Sequence, residues 1–486
     1  MEELDLLSNI FSVLASEHIF QPTGEDVVFP FRHPEELKKL LDLNLENVVP
    51  LESTSREQVL RKVIQYSIKT NHPNYHNEMY AGADRFGLAA SWVTDALNSC
   101  QFTFEAAPVF SLVESVVLEF FLKLCGFDSG EGIFTPGGSI GNMYAVAMAR
   151  HKILPQSRKQ GMYGQKVLKI ITSEDSHYSI TKSANWLGLG EENVIKISTD
   201  DTFRISIGQL DAMIADIVAQ GSKPLMVSVT AGTTVFGAFD NLEKVADVCQ
   251  RHKVWMHVDA SWGGMAILSA RHKGLLAGME RADSVTLCPQ KMIGAPLQCA
   301  MFLMKHRGLL SSCNAAFAEY LFPGDKYYDV SFDTGDMSIQ CGRKIDSFKL
   351  WFMLRARGLP WYELAIDNAI NCAEYFQTAI SGSCYFRLVQ TAPFKFTNVC
   401  FWFIPRRLQF TEACRETAEW WREIYKVTLA LKEIMVKEGS LMVSYSSHPG
   451  RKLGYFFRLV VKCVPPPTTE RMDFIIKEMI SIGSDL

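Results

Sequence analysis

The stretch Ser284-Val-Thr-Leu-Cys-Pro-Gln-Lys291-Met-Ile-Gly-Ala-Pro-Leu-Gln-Cys299 decides how the chain is read. A short β-rich run, Val285 to Leu287, is stopped by Pro289, and a lysine follows in apolar surroundings. No other charged residue lies between Asp283 and Lys305. An ammonium held among apolar groups loses hydration, so its pKa is expected to fall. Schiff-base chemistry needs that fall, because only the neutral amine attacks a carbonyl. Most lysines near a strand end simply snorkel to water, so the reading depends on what the rest of the chain brings.

Outward from this stretch, strand-length apolar bursts alternate with helical patterns, as in βαβ units around a largely parallel sheet. The expected strands are 167–172, 224–230, 254–259, 284–287 and 300–304, and 242–249 repeats Leu242, Val245, Ala246 and Cys249 at helical spacing. A helix is expected over 346–357, a second helical pattern over 367–379, and strands at 398–403 and 455–461. The fold class is therefore α/β, with three expected parts: an N-terminal helical segment 1–62, a large domain 63–352 and a small α+β domain 353–486. Leu37, Leu40, Leu41, Leu43 and Leu45 are too apolar for a free arm, so the N-terminal segment is expected to pack on something.

Ligands in open α/β sheets gather at the carboxyl ends of strands, and four such ends carry chemistry here. Asp259 closes an apolar run, and a carboxylate there needs a cationic partner such as a protonated pyridine nitrogen, unless it is a helix cap. His177 follows the strand at 167–172, where its ring can stack on an aromatic plane or handle a proton. Thr135-Pro-Gly137-Gly138-Ser139-Ile-Gly141-Asn142 precedes a helix, and glycines there leave N–H groups free for one phosphate. Thr230-Ala-Gly-Thr233-Thr234 adds hydroxyls at another strand end. Gly137-Gly138-Ser139-Ile140-Gly141 also matches the G-x-S-x-G elbow of serine hydrolases. That motif needs a preceding strand, and 132–136 is a poor one, so the hydrolase through Ser139 is the remote alternative. A Schiff-base lysine, a carboxylate, a stacking histidine and a phosphate-binding helix start are together what pyridoxal 5'-phosphate requires.

Composition is compatible with this. The chain has 486 residues, 48% hydrophobic and 21% charged, with a net charge of −4 and no basic block. Neither nucleic acid nor an anionic membrane is implied. The 12 cysteines show no C-x-x-C spacing, and the acidic Met1-Glu-Glu-Leu-Asp is unlike a secretory signal. The expectation is a cytoplasmic protein with reduced thiols, no metal and no membrane segment.

At this point the sequence resembles the group II pyridoxal-phosphate-dependent amino-acid decarboxylases, in particular the acidic amino-acid branch that acts on cysteine sulfinate, aspartate or glutamate. The resemblance rests on Lys69-Thr-Asn-His-Pro73, Phe134-Thr-Pro-Gly-Gly-Ser139, Ser173–Ser179, His257-Val-Asp-Ala-Ser-Trp-Gly-Gly264, Leu297-Gln-Cys299 and Tyr327–Asp336. It implies fold type I of the pyridoxal-phosphate enzymes and a homodimer with shared active sites, the N-terminal segment packing on the partner. It implies that Lys291 bonds the cofactor, Asp259 pairs with its ring nitrogen, and His177 and Ser261 cover its two faces. Gly138, Ser139 and Asn142 would lie in or beside the phosphate cup, with Thr233 and Gln290 near it. Arg458 would hold the substrate α-carboxylate, and Tyr320, on a loop offered to the other subunit, would protonate Cα after CO2 leaves. Glu78, Tyr80, Cys100 and Phe102 would line the substrate side.

The chain departs from the family's usual pattern at several of these places. Asn-Pro-His-Lys reads Cys288-Pro289-Gln290-Lys291, which exchanges a histidine near the phosphate for a neutral amide. Phe-Asn-Gln reads His76-Asn77-Glu78, and Glu78 should oppose an acidic substrate unless it is protonated or turned toward a cation. Tyr80 shortens the pocket relative to a serine, which favours aspartate or cysteine sulfinate over glutamate. Glutamate or a divergent substrate, and a cofactor-binding protein of weak activity, are the alternatives within this reading.

Overall fold

The computed structural model describes residues 2–41, 43, 45–46, 49–318, 320–321, 325–390, 396–409 and 416–486. The chain forms two compact units, 83–367 and 1–82 with 368–486. These limits differ from the breaks at 62/63 and 352/353 expected from texture. β1 (Tyr75–His76) pairs in parallel with β11 (Met442–His448), which carries residues up to 82 into the second unit. The helix Ser347–Arg357 instead packs on the helices Arg85–Leu97 and Pro108–Leu124 of the first.

The larger unit is built on a seven-stranded sheet. Its strands are β2 (Glu131–Thr135), β3 (Leu168–Ser173), β4 (Val194–Ile197), β5 (Lys223–Thr230), β6 (Trp255–Ala260), β7 (Ser284–Leu287) and β8 (Ala300–Met304), in the order 2-8-7-6-5-3-4. The pairs among β4, β3, β5, β6 and β7 are parallel, and β8 is antiparallel to both β7 and β2. Strands buried on both faces read as continuous apolar runs, which is why β5 to β8 were legible within a residue or so. Two strands were not. Residues 132–136 looked too poor for a strand, yet β2 forms at the sheet edge because β8 supplies its ladder partner. The four-residue β4, also at an edge, left only the brief alternation Val-Ile-Lys-Ile.

The smaller unit carries a five-stranded sheet in the order β1-β11-β12-β10-β9, with β9 (Phe386–Leu388), β10 (Asn398–Phe403) and β12 (Leu453–Val460). Helices Leu359–Ser381, Ala418–Glu438 and Thr469–Gly483 belong with these strands in sequence; the first starts eight residues before the pattern at 367, just after Gly358 ends the preceding helix with a positive φ. The N-terminal part holds the helices Glu2–Ser16, Pro34–Leu41 and Ser53–Tyr66. Among the described residues no helix is long and apolar enough to cross a membrane.

Candidate active site

Parallel register lines up the carboxyl ends of the central strands. Thr230 of β5 is beside Asp259 of β6, and Asp259 is beside Thr286 of β7. Beyond these ends lies a cavity of about 240 Å³ lined by Gly137, Gly138, Ser139, Asn142, His177, Asp259, Ser261, Gln290 and Lys291 among others. Every one of these nine was singled out in the sequence, from segments as far apart as Gly137 and Lys291.

Lys291 sits in the one-turn helix Pro289–Met292, where proline opens the turn that carries the lysine away from β7. It is half-buried, and it is the one amine among the described residues lining the cavity. Asp259 is buried. Burial pushes its carboxyl up, but Lys291, Ser261, His177 and the Asn142 amide outweigh this and hold it below the usual carboxylate range. Ser261 N–H donates to Oδ1 at 3.1 Å and Asn142 Nδ2 to Oδ2 at 2.8 Å. The aspartate is thus an ionised acceptor fixed on both oxygens.

His177 accepts a hydrogen bond at Nδ1 from Ser179 N–H at 3.2 Å. Burial lowers its pKa, opposed by Asp259 and aided by Lys291 and Lys182. A neutral ring with Nδ1 as acceptor carries its proton on Nε2. A flat, neutral imidazole beside an ionised carboxylate is suited to cover an aromatic face without competing for its charge.

The helix Gly138–Ile153 starts at the cavity, preceded by Gly137 at φ +99°. A Cβ at Gly137 would meet nothing within 4 Å, so this turn leaves open space in front of the helix's first N–H groups. Gly138 is required for the opposite reason: a Cβ there would lie 2.5 Å from Ser261 Oγ and 2.9 Å from Cys288 Sγ. Open space over a helix start, a fixed carboxylate and a half-buried lysine fit the phosphate, ring nitrogen and aldehyde of pyridoxal phosphate.

The structure also places the remaining residues. Thr233 spends its hydroxyl on Ala238 N–H at 3.0 Å, and it is Thr234 that lines the cavity. Cys288 is buried beneath Gly138 and does not line it; burial raises its thiol pKa, so it is an uncharged filler. Gln290 lines the cavity with its side-chain oxygen engaged by Cys299 N–H, which leaves its NH2 as the donor end. A neutral donor binds phosphate less strongly than a charged one. Gln290→His is therefore expected to tighten pyridoxal phosphate about 5-fold, the worth of roughly 1 kcal/mol; equal dissociation constants for the two proteins would refute this. Cys100 and Phe102 lie outside the cavity lining, in a segment tied to 335–343 through Gly335 N–H on Phe102 O and Arg343 N–H on Cys100 Sγ. Tyr320 is 86% exposed and also outside it. For the hydrolase alternative, β2 does supply the strand that seemed missing, but no histidine bonds Ser139 among the described residues.

The smaller unit holds its own polar cluster. Arg458, on the central strand β12, is buried and donates from Nε to Ser444 Oγ at 3.0 Å. Glu78 accepts from Asn77 Nδ2 at 2.9 Å, and its charge acts on Lys432, Lys462 and Arg458. Glu78 therefore has three cations within electrostatic reach. Tyr80 is pinned by a 3.0 Å bond from Tyr75 Oη. Burial pulls Lys462 down to about 7 and Lys432 to about 8, with Glu78 opposing in each case. Between pH 7 and the ordinary lysine value the unfolded chain binds the proton that folded Lys462 has released, so stability rises with pH across that window. Lys462→Met is expected to remove about 1–2 kcal/mol of the gain between pH 7 and pH 9 in denaturant titrations. An unchanged gain would show that Lys462 is not buried in this way.

Comparison with known proteins agrees with this geometry. Residues 34–404 match the pyridoxal-dependent decarboxylase conserved domain. Human cysteine sulfinic acid decarboxylase is 44% identical, over 99% of this chain and 96% of that protein. The bovine acidic amino acid decarboxylase GADL1 is 42% identical, over 94% and 87%. The crystal structure of mouse CSAD superposes with a TM-score of 0.94 at 41% identity, covering 99% of this chain and 98% of that one. With the lysine, the fixed aspartate and the open helix start in one cavity, the chain belongs to the group II pyridoxal-phosphate-dependent decarboxylases, as an amino-acid decarboxylase of fold type I.

Proposed function

We propose that the protein is a cytoplasmic homodimer that removes the α-carboxylate of a short acidic amino acid, converting aspartate to β-alanine, cysteine sulfinate to hypotaurine, or both. The observation that carries the substrate class is the surrounding of Glu78. Its charge is offset by Lys432 and Arg458 and, below about pH 7, by Lys462, so Glu78 does not leave this cluster net negative. Tyr80, fixed by Tyr75, favours the shorter substrates. The names of the relatives point to the same class.

Bound pyridoxal phosphate supplies an electron sink for the pair left behind by CO2. The chain does the rest. Lys291 would be the amine that bonds the aldehyde, Asp259 would accept the ring N–H and keep it protonated, and His177 and Ser261 would cover the ring faces. The turn Gly137–Ser139, with Thr234 and the Gln290 amide, would take the phosphate. On the smaller unit, Arg458 would be the group for the substrate α-carboxylate, since a two-pronged guanidinium holds a carboxylate in one orientation. Tyr320, exposed in its own subunit, would deliver a proton to Cα in the neighbouring one. Dimer formation is supported by apolar groups that the single chain leaves uncovered: the helix Pro34–Leu41 has no buried residue, Leu43 and Leu45 are exposed, and so is the stripe Val109, Leu112, Val116.

The test is CO2 release from aspartate, cysteine sulfinate, glutamate and an aromatic amino acid by protein supplied with cofactor. Aspartate or cysteine sulfinate should exceed the other two at least about tenfold, the discrimination worth 1.4 kcal/mol. Preference for glutamate would overturn the short-substrate reading, and no release from any would leave only cofactor binding. Light scattering should give twice the 54.7 kDa of the chain.

A further inference from the structure

A line of buried hydrogen bonds runs behind the cavity. Trp255 Nε1–H donates to Ser284 Oγ at 3.0 Å, and Ser284 Oγ meets His257 Nδ1 at 2.9 Å. His257 Nε2 meets Asn142 Oδ1 at 3.0 Å, and Asn142 Nδ2 donates to Asp259 Oδ2 at 2.8 Å. All five side chains are nearly inaccessible to water. Only Asn142 and Asp259 line the cavity. Histidine 257 touches neither cofactor space nor substrate, and no chemical step above uses it.

The direction of every bond is forced from both ends. Asp259, ionised, can only accept, so the NH2 of Asn142 must face it and the amide oxygen must face His257. Nε2 therefore carries the imidazole proton, and Nδ1 is left as an acceptor. Ser284 must give its hydroxyl proton to Nδ1, which leaves its lone pairs for the indole N–H, a group that can only donate. Burial supports a neutral ring, pulling the His257 pKa down to about 4 against the opposing charge of Asp259. A protonated ring would put N–H on Nδ1 as well, and Ser284 would have to turn its own proton elsewhere.

We propose that His257 is a positioning residue for the cofactor: held by Ser284 as the Nε2–H tautomer, it locks the Asn142 amide so that its NH2 stays on Asp259, which keeps that carboxylate charged and aimed at the ring nitrogen. Without this lock the amide can rotate and present its oxygen to the carboxylate, which would weaken the pairing that holds the cofactor. Asn142 thus serves Asp259 and not the phosphate. Its remaining contact, Nδ2 on Ser179 Oγ at 2.8 Å, ties the same amide to the residue whose N–H orients His177.

The inference rests on Asp259 pairing with the ring nitrogen, and the experiment separates the two. Pyridoxal phosphate is titrated into apo-protein, with the dissociation constant read from the visible absorbance, for wild type, Ser284→Ala, His257→Gln and His257→Leu, each alone and combined with Asp259→Asn. His257→Leu should weaken binding about 10-fold, the size usual for groups that orient a ligand through another residue. His257→Gln, which can still donate toward Asn142, should recover part of it, and Ser284→Ala should show a smaller loss in the same direction. In the Asp259→Asn background all three should change binding less than twofold, since the carboxylate they orient is gone. Equal losses in both backgrounds would mean a structural role and overturn the proposal, as would no loss in the Asp259 background. If His257→Leu does not fold, Ser284→Ala and His257→Gln decide by the same comparison. Unchanged binding on Asp259→Asn alone would instead overturn the pairing on which the inference rests.

Discussion

Lys291→Ala is expected to abolish borohydride-stable attachment of the cofactor and to cut CO2 release by on the order of 10⁴-fold or more, as removal of the covalent group does when several residues act as a unit. The geometry gives the variant no substitute. Lys291 is the one amine among the described residues lining the cavity, and the other cations near it, Lys182 on the His177 side for example, are outside that lining. The fold should survive, because Lys291 is half-buried and on a one-turn helix whose neighbours Pro289 and Met292 supply the packing. Apo-variant and apo-wild type should therefore melt within a few degrees of each other. Wild-type protein treated with cofactor and borohydride should carry the label on Lys291. A variant that is still labelled, or that retains a tenth of the activity, would remove this residue from its role.

Asp259→Asn is the second large effect. The substitution keeps shape but removes the charge that answers a protonated ring nitrogen. Breaking a buried charge pair costs about 3–5 kcal/mol, and each 1.4 kcal/mol is a factor of ten, so kcat/KM should fall roughly 10²- to 10⁴-fold. The residual site would still accept N–H from Ser261 on the amide oxygen, but the Asn142 NH2 would then meet another NH2. Cofactor affinity should fall with activity. The pH dependence carries a sign as well. Asp259 is held below the usual carboxylate range, so its ionised form, and the cofactor affinity that depends on it, should persist as pH falls through 4 and be lost only below that. Activity of Asp259→Asn within tenfold of wild type would show that the aspartate is not the partner of the ring.

Most of the site was legible because its members are at points where local sequence already limits the backbone. Asp259 ends an apolar run and so had to emerge at a strand end. Pro289 had to stop β7 and turn the chain at Lys291. Gly137 and Gly138 had to mark a sharp entry to a helix. The edge strands β2 and β4 were harder, since a short strand exists only if a neighbour offers its ladder, and β8 and β3 do so from distant segments. The limits of the compact units have the same origin: residues up to 82 join the smaller unit, where β1 pairs with β11, some 370 residues away in the chain.

By itself, then, the sequence determined the class of fold, the cofactor and the lysine, aspartate, histidine and glycine turn that line one cavity, because each follows from a run of neighbours. What only the tertiary structure decided is how side chains from separate segments face one another. It turned Thr233 into its own loop and left Thr234 at the cavity, buried Cys288 under Gly138, aimed the Gln290 amide by way of Cys299, and answered the charge of Glu78 with Lys432, Lys462 and Arg458. Charge and hydrogen bonding act over a few ångströms, and which groups come within that range is set by packing, not by position in the chain.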